Sequence, residues 1–195
     1  MPAEACLRAD DGTVLPLDLG RWHEQPGMDE LVLLARVRPP VLDLGGGPGR
    51  HVVALGQRGV PALGVDAAPG AVDAARSRGA LVLERSVFDR LPGAGRWGTV
   101  LLLDGNIGIG GDPVALLTRA RALLRPGGRV LAELAPPGTG TRALSVRLER
   151  DGTTGPRFPW AVVAADGIAG SAEASGLVVA DVWEGGGRWF SQLDA

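Results

Sequence analysis

Residues 41–50 read VLDLGGGPGR. Val41, Leu42 and Leu44 have the character of a buried strand, and the chain then gives up side chains almost entirely at Gly45, Gly46, Gly47, Pro48 and Gly49. Glycines at the end of a strand let another group come against the backbone. Residues 49–58 follow as a helix, with Val52, Val53 and Leu55 on its apolar side. A strand, a glycine turn and a helix open an open α/β sheet, in which ligands bind beyond the carboxyl ends of the strands and against helix N–H groups. Three alternating glycines exceed what a tight turn alone needs.

The rest of the chain repeats the alternation. Strands are expected at 61–66, 80–85, 98–105 and 129–134. Helices are expected at 69–79 and 112–128. The second of these has Asp112 as its cap, Pro113 at the first helical position and Pro-Gly-Gly at its end. Continuous apolar strands alternating with helices predict a parallel sheet covered on both faces, and right-handed crossovers make it doubly wound. The end of the chain differs: a weak helix over 163–176 precedes two strands, 177–183 and 188–193, joined by the hairpin signal EGGG. The last pair is therefore antiparallel. Residues 1–38, with a helix from about Met28 to Arg36, are expected as an N-terminal cap on a domain spanning 39–195. The stretch at about 135–160 is expected as an irregular insertion over the same edge of the sheet.

Composition narrows the function. Among 195 residues, 45% are apolar and the charged residues are scattered, as in a folded domain. The net charge of −2 shows no footprint for nucleic acid. Every Lys/Arg position is Arg, which excludes a P-loop lysine and a Schiff-base lysine. Cys6 is alone, and His23 and His51 lie far apart, so neither an internal disulfide nor a metal cluster is expected. No apolar run approaches membrane length, and the N-terminus, with Glu4, lacks a signal-peptide core. The expected setting is cytoplasmic.

Two ligand classes compete for the glycines. A dinucleotide site wants G-x-G-x-x-G, but that pattern reaches Arg50, and the chain has G-x-G-x-G through Gly49 instead. VLDLGGGPGR resembles the first motif of the class I S-adenosylmethionine-dependent methyltransferases. GVDAAPGAVDAA resembles their second-strand motif, SVFDRLP their adenine-side loop and RPGGRVLAEL their fifth-strand motif. Asp66 stands 17 residues past Gly49, near the ~20 expected of a ribose-binding acid. The resemblance covers roughly 39–134 and 160–193. It implies a mostly parallel seven-stranded sheet with an antiparallel last strand, and S-adenosyl-L-methionine as cofactor.

It also implies roles. Asp43 would face the methionine ammonium, and Gly45, Gly47 and Gly49 the carboxylate and ribose. Asp66, with Ala67 beside it, would hold the ribose hydroxyls. The Val87 N–H would face adenine N1, next to Phe88. Ser86 stands where family members often have an acid for the adenine amino group, and Asp89 is a possible substitute for it. The fourth-strand end LLLDGNIGIGGD places Asp104 and Asn106 where an acceptor would meet the methyl group, with Asp104 also near the cofactor. The signature of the amino-methylating members, an Asn or Asp followed by Pro-Pro and an aromatic, is absent there. His51, first after the glycine turn, is a candidate base or a residue behind the pocket. Trp22, His23 and Trp160 are candidate substrate contacts, each with an alternative as a packing or surface residue. Glu133 is a weaker candidate. The expected activity is methyl transfer to a small-molecule acceptor, without nucleic acid or membrane. A non-catalytic cofactor-binding accessory or sensor and a Rossmann oxidoreductase are the alternatives.

Overall fold

The computed structural model describes residues 5–195. The chain opens with a hairpin, β1 (Ala5–Ala9) and β2 (Val14–Leu17), then α1 (Leu19–Trp22) and α2 (Met28–Leu34). The alternating region follows as β3 (Val41–Leu44), α3 (Arg50–Gly56), β4 (Ala62–Asp66), α4 (Pro69–Ser77), β5 (Val82–Glu84), β6 (Trp97–Leu102), α5 (Pro113–Leu123) and β7 (Leu124–Leu134). A second hairpin, β8 (Arg142–Arg150) and β9 (Thr153–Val162), precedes α6 (Ile168–Ala174), β10 (Val178–Gly185) and β11 (Arg188–Asp194).

Seven strands form the main sheet in the order β10-β11-β7-β6-β3-β4-β5. The central ladders are parallel, while β11 runs antiparallel to both β7 and β10. The expected doubly wound sheet with an antiparallel last strand is therefore present. Its strands read as unbroken apolar runs because both faces are covered. Alternate residues of β6 show this: Val100 and Leu102 join the core with Leu116 and Leu117, while Leu101 and Leu103 join Leu33, Leu34 and Phe190 on the other face.

The segments expected as cap and irregular insertion prove regular. β1 pairs with β2 and also with β8, giving a separate antiparallel sheet ordered β2-β1-β8-β9. Leu144 and Val146 alternate with more exposed neighbours, as a sheet with one buried face requires, until the irregularity near Arg147 leaves Leu148 exposed. Leu7, Ala9, Val146, Phe158 and Trp160 pack on that face. Pro156 and Pro159 mask β9 in the sequence, yet β9 is an edge strand, where a missing N–H is tolerated. The expected 112–128 helix stops at Leu123, and the Pro-Gly-Gly that follows lies within β7.

The second sheet rests on the loop after β6. A Cβ added at Gly108 would lie 2.1 Å from the Ala161 carbonyl oxygen and 2.7 Å from Trp160 Nε1. One obstacle is backbone and cannot swing aside. Gly108→Ala is expected to lower stability by about 2 kcal/mol or more, as an overpacked site does. Gly170→Ala, in α6 with open space around it, is expected to raise it by ~0.5–1 kcal/mol. Thermal melts of the two variants check the contrast.

Candidate active site

The carboxyl ends of β3, β4 and β6 meet at the glycine turn. Gly45, Gly47 and Gly49 all have positive φ, at 75°, 53° and 77°, but they serve different ends. A Cβ on Gly45 would meet Asn106 Nδ2 at 2.7 Å and Ile109 Cδ1 at 2.8 Å. One on Gly49 would meet the Cβ atoms of Ala80 and Ala75 at 2.7 and 3.0 Å. These two glycines make room for the protein itself. Only at Gly47 would a Cβ point into open space, so Gly47 is where the turn offers bare backbone to a ligand.

Asp66 ends β4 at the rim of that space. Its Oδ2 accepts the Gly47 N–H and its Oδ1 the Ala68 N–H, both at 2.8 Å, with Ala67 exposed between them. The carboxylate is thus aimed by two backbone donors and keeps lone pairs for hydroxyl groups. Ser86, Val87 and Phe88 follow β5. Val87 is buried, while Phe88 is 47% exposed and lies against Gly110. The Asp89 carboxylate accepts the Ser86 N–H at 3.1 Å, so it closes its own loop.

Behind the turn lies a buried ion network. Arg50, 3% exposed, donates through Nη1 to Glu30 Oε2 at 2.8 Å and through Nη2 to both oxygens of Asp104 at 2.9 Å. Arg188 extends the network from β11. It donates to Glu133 Oε1 at 2.8 Å, to Asp29 and Asp104 at 3.2 Å each, and again to Glu133 Oε2. Arg21 reaches Glu30 at 3.2 Å. Glu133 also accepts the Asp104 N–H at 2.7 Å. Asp104 has a φ of 55°, a conformation uncommon outside glycine, and these bonds hold it there.

The charges follow from the contacts. Burial pushes Glu30 up, but hydrogen bonds from His51, Arg50 and the Gly27 N–H outweigh it and hold the carboxyl at about 2. Burial by itself lowers His51; the Asp43 and Glu30 carboxylates win and raise it to about 9. Burial, reinforced by Asp104, pushes Glu133 up to about 7, while the fork of Arg188 on both its oxygens pulls the other way. Asp29, Glu30, Asp43, Asp104 and Glu133 stand against Arg21, Arg50, Arg188 and the His51 imidazolium.

The remaining candidate residues are placed as follows. His51 is 3% exposed, with Nε2 3.3 Å from Glu30 and Nδ1 3.6 Å from Asp43. It is enclosed behind the turn between two acids, where it has no access to a substrate as a base. Asn106 donates through Nδ2 to the carbonyls of Leu44 and Gly45, at 3.2 and 2.7 Å, so it braces the glycine turn. The Asp104 carboxylate is engaged by two arginines. The Arg50 side chain turns down into the network and does not crowd the glycines. Asp43 is buried, and its Oδ2 has no hydrogen-bond partner among the described residues. Trp160 lies on the loop after β6, edge-on to Phe158. Trp22 ends α1, and His23 is exposed, with its carbonyl accepting from Arg78. Glu30, Asp29 and Arg188 had no motif to mark them; the one available signal was an acid, Glu30, on the apolar side of an expected helix.

This sheet order, with β11 reversed between β7 and β10, defines a class I methyltransferase fold. Residues 41–128 match the family model described as a methyltransferase domain. The match covers the strand–helix alternation from β3 into β7 and not the remainder of the chain. Among solved structures, it is similar to a SAM-dependent methyltransferase from Bacteroides fragilis in complex with S-adenosyl-L-homocysteine. The TM-score is 0.79 and the identity 20%, over 97% of this chain and 86% of that one. It is similar also to the CcbJ methyltransferase from Streptomyces caelestis, with a TM-score of 0.63 and 19% identity over 85% and 92%. A third is the 1,6-didemethyltoxoflavin-N1-methyltransferase from Burkholderia thailandensis, with a TM-score of 0.58 and 20% identity over 79% and 69%. No curated protein sequence matches the chain.

His51 supplies a test of the network. Its folded pKa lies above its ordinary 6.5, so its contribution is complete below 6.5 and fades as pH rises through about 9. The wild-type melting temperature is expected to fall between pH 7 and 9, by a stability on the order of 2–3 kcal/mol. His51→Gln is expected to be flatter over the same range. An unchanged slope would place the titrating proton elsewhere.

Proposed function

We propose that the chain methylates a small-molecule acceptor, with the cofactor on Gly47, Asp66 and the 86–89 loop and the acceptor beside Asp104 and Glu133. One observation carries this reading. The Asp66 carboxylate and the Gly47 N–H are bonded to each other at the rim of open space, joining an acid for ribose hydroxyls and a bare stretch of backbone into one receptor. The residues present fit S-adenosylmethionine. Asp66 offers lone pairs to the ribose, the Val87 N–H would serve the base, and the buried Asp43 carboxylate, its Oδ2 3.6 Å from His51 Nδ1, would add negative charge behind the turn for an ammonium. The bound cofactor supplies an electrophilic methyl group on a sulfonium.

The protein's part is alignment and exclusion of water. Asn106 and Asp66 fix the glycine turn from two sides. Arg50 and Arg188 fix Asp104, and the second sheet, through Trp160, covers the loop between Asp104 and α5. A proton leaving an amine or hydroxyl acceptor has Glu133 as a carboxylate able to receive it. A small acceptor accords with the similar toxoflavin enzyme, solved with bound 1,6-didemethyltoxoflavin, and with the similar glycopeptide N-methyltransferase MtfA. The lone Cys6 accords with a cytoplasmic setting. No helix among the described residues is long and apolar enough to cross a membrane.

A second reading, cofactor binding without transfer, draws on the internal engagement of Asp104, Asn106 and His51. Titration calorimetry with S-adenosylhomocysteine is expected to show micromolar binding, roughly −8 kcal/mol. Asp66→Ala is expected to lose ~2–4 kcal/mol of it without unfolding, as for charge-assisted bonds to hydroxyls. Absence of binding would remove both readings. A mass screen for gain of one methyl group across small metabolites separates the two, since only an enzyme yields a methylated product.

A further inference from the structure

The loop over the base position is held from outside by one side chain. Arg119, half-buried on α5, donates through Nε to the Val87 carbonyl at 3.2 Å and through Nη2 to the Asp89 carbonyl. The loop also ties itself. Ser86 N–H donates to Asp89 Oδ2, Phe88 N–H to Ser86 Oγ at 3.3 Å, and Asp89 N–H to the Ser86 carbonyl at 3.1 Å. All these bonds leave out the Val87 N–H, which donates to no group among the described residues, although Val87 is only 5% exposed. A peptide N–H without an acceptor in the chain is uncommon and is open to a partner from outside it. The ring of Phe88 lies on Gly110, at the lead into α5, so the same helix that carries Arg119 also bounds the loop.

We propose that Arg119 is a positioning residue for base recognition: by holding the carbonyls of Val87 and Asp89 it aims the Val87 N–H at the bare ring nitrogen of adenine. This rests on the reading of the chain as an S-adenosylmethionine-dependent enzyme. Ser86 stands where an acid would read the amino group, and a hydroxyl both donates and accepts. It therefore adapts to an amino group or to a carbonyl and does not discriminate between them. Discrimination falls to the Val87 N–H. Adenine N1 accepts from it, whereas N1 of hypoxanthine carries hydrogen and would meet it donor to donor. The direction of that N–H depends on the torsions on either side of Val87, and the guanidinium restrains them through the next carbonyls. A planar fork reaches two carbonyls at once, where a lysine ammonium is a single point on a flexible stem.

The test compares S-adenosylhomocysteine with S-inosylhomocysteine by calorimetry on wild type, R119A and R119K, with melting curves for each. Wild type is expected to prefer the adenine compound by at least about tenfold, the effect of one unmet hydrogen bond in a buried site. In R119A the preference is expected to fall to about twofold or less, and in R119K to lie between. A variant that melts earlier, or binds both compounds more weakly, yet keeps the wild-type ratio would show that Arg119 only stabilises the loop, and would overturn the proposal. If R119A does not fold, the ratio in R119K decides in the same way. Wild type binding both compounds equally would also overturn it. Wild type binding neither would remove the cofactor reading itself, a different outcome.

Discussion

The structure depends on the buried guanidinium of Arg50. It joins Glu30 of α2 to Asp104 at the end of β6, from the first position of α3. Three segments far apart in the chain are thereby locked around one side chain. Taking such charges out of water costs several kcal/mol per ion, and only complete pairing offsets it. Here both terminal nitrogens of Arg50 are paired: Glu30 and Asp104 accept from them, and Arg21, Arg188 and His51 contact the same acids. The network therefore adds more to geometry than to net stability. It sets the unusual backbone of Asp104 and, through the adjoining loop, the position of Asn106 under the glycine turn.

The turn itself divides its glycines between two duties. Gly45 and Gly49 are required by Asn106 on one side and by the Ala75–Ala80 contact on the other. A glycine motif thus records the packing of the protein around a site as much as the site. Only Gly47 and the carboxylate bonded to it face outward. The strength of the motif as a signal comes from both demands together, since a loop serving either alone would tolerate more side chains.

This division explains what could be read from the sequence. The seven strands of the main sheet were legible because both its faces are buried, and continuous apolar runs such as 98–105 follow from that. The glycine turn, Asp66 and the loop at Ser86–Phe88 lie at the strand ends that the alternation itself locates. The second sheet was not legible as a sheet. Its strands β1 and β8 pair across more than a hundred residues, a contact that no local pattern announces, and the prolines of β9 argue against a strand until its edge position is known. The alternation in 142–150 was a real signal, but one that shows a half-buried strand without showing its partner.

The ion network behind the glycine turn was the least legible part, for a related reason. Its groups are side chains, not backbone, and they come from α2, α3, β6, β7 and β11. Asp104 stands out in sequence only as an acid opening a glycine-rich loop; the two arginines that engage it are 54 and 84 residues away. Arg50 stands where the dinucleotide pattern wants a third glycine, and the helix start turns its side chain inward to Glu30 and Asp104. Ion networks of this kind have no sequence period, since each member is fixed by the charges left unpaired by the others. Charge balance is then the means of reading the site: five acids, Asp29, Glu30, Asp43, Asp104 and Glu133, face three guanidiniums and the His51 imidazolium, and Glu133, at the end of β7, is the acid that burial pushes up to about 7.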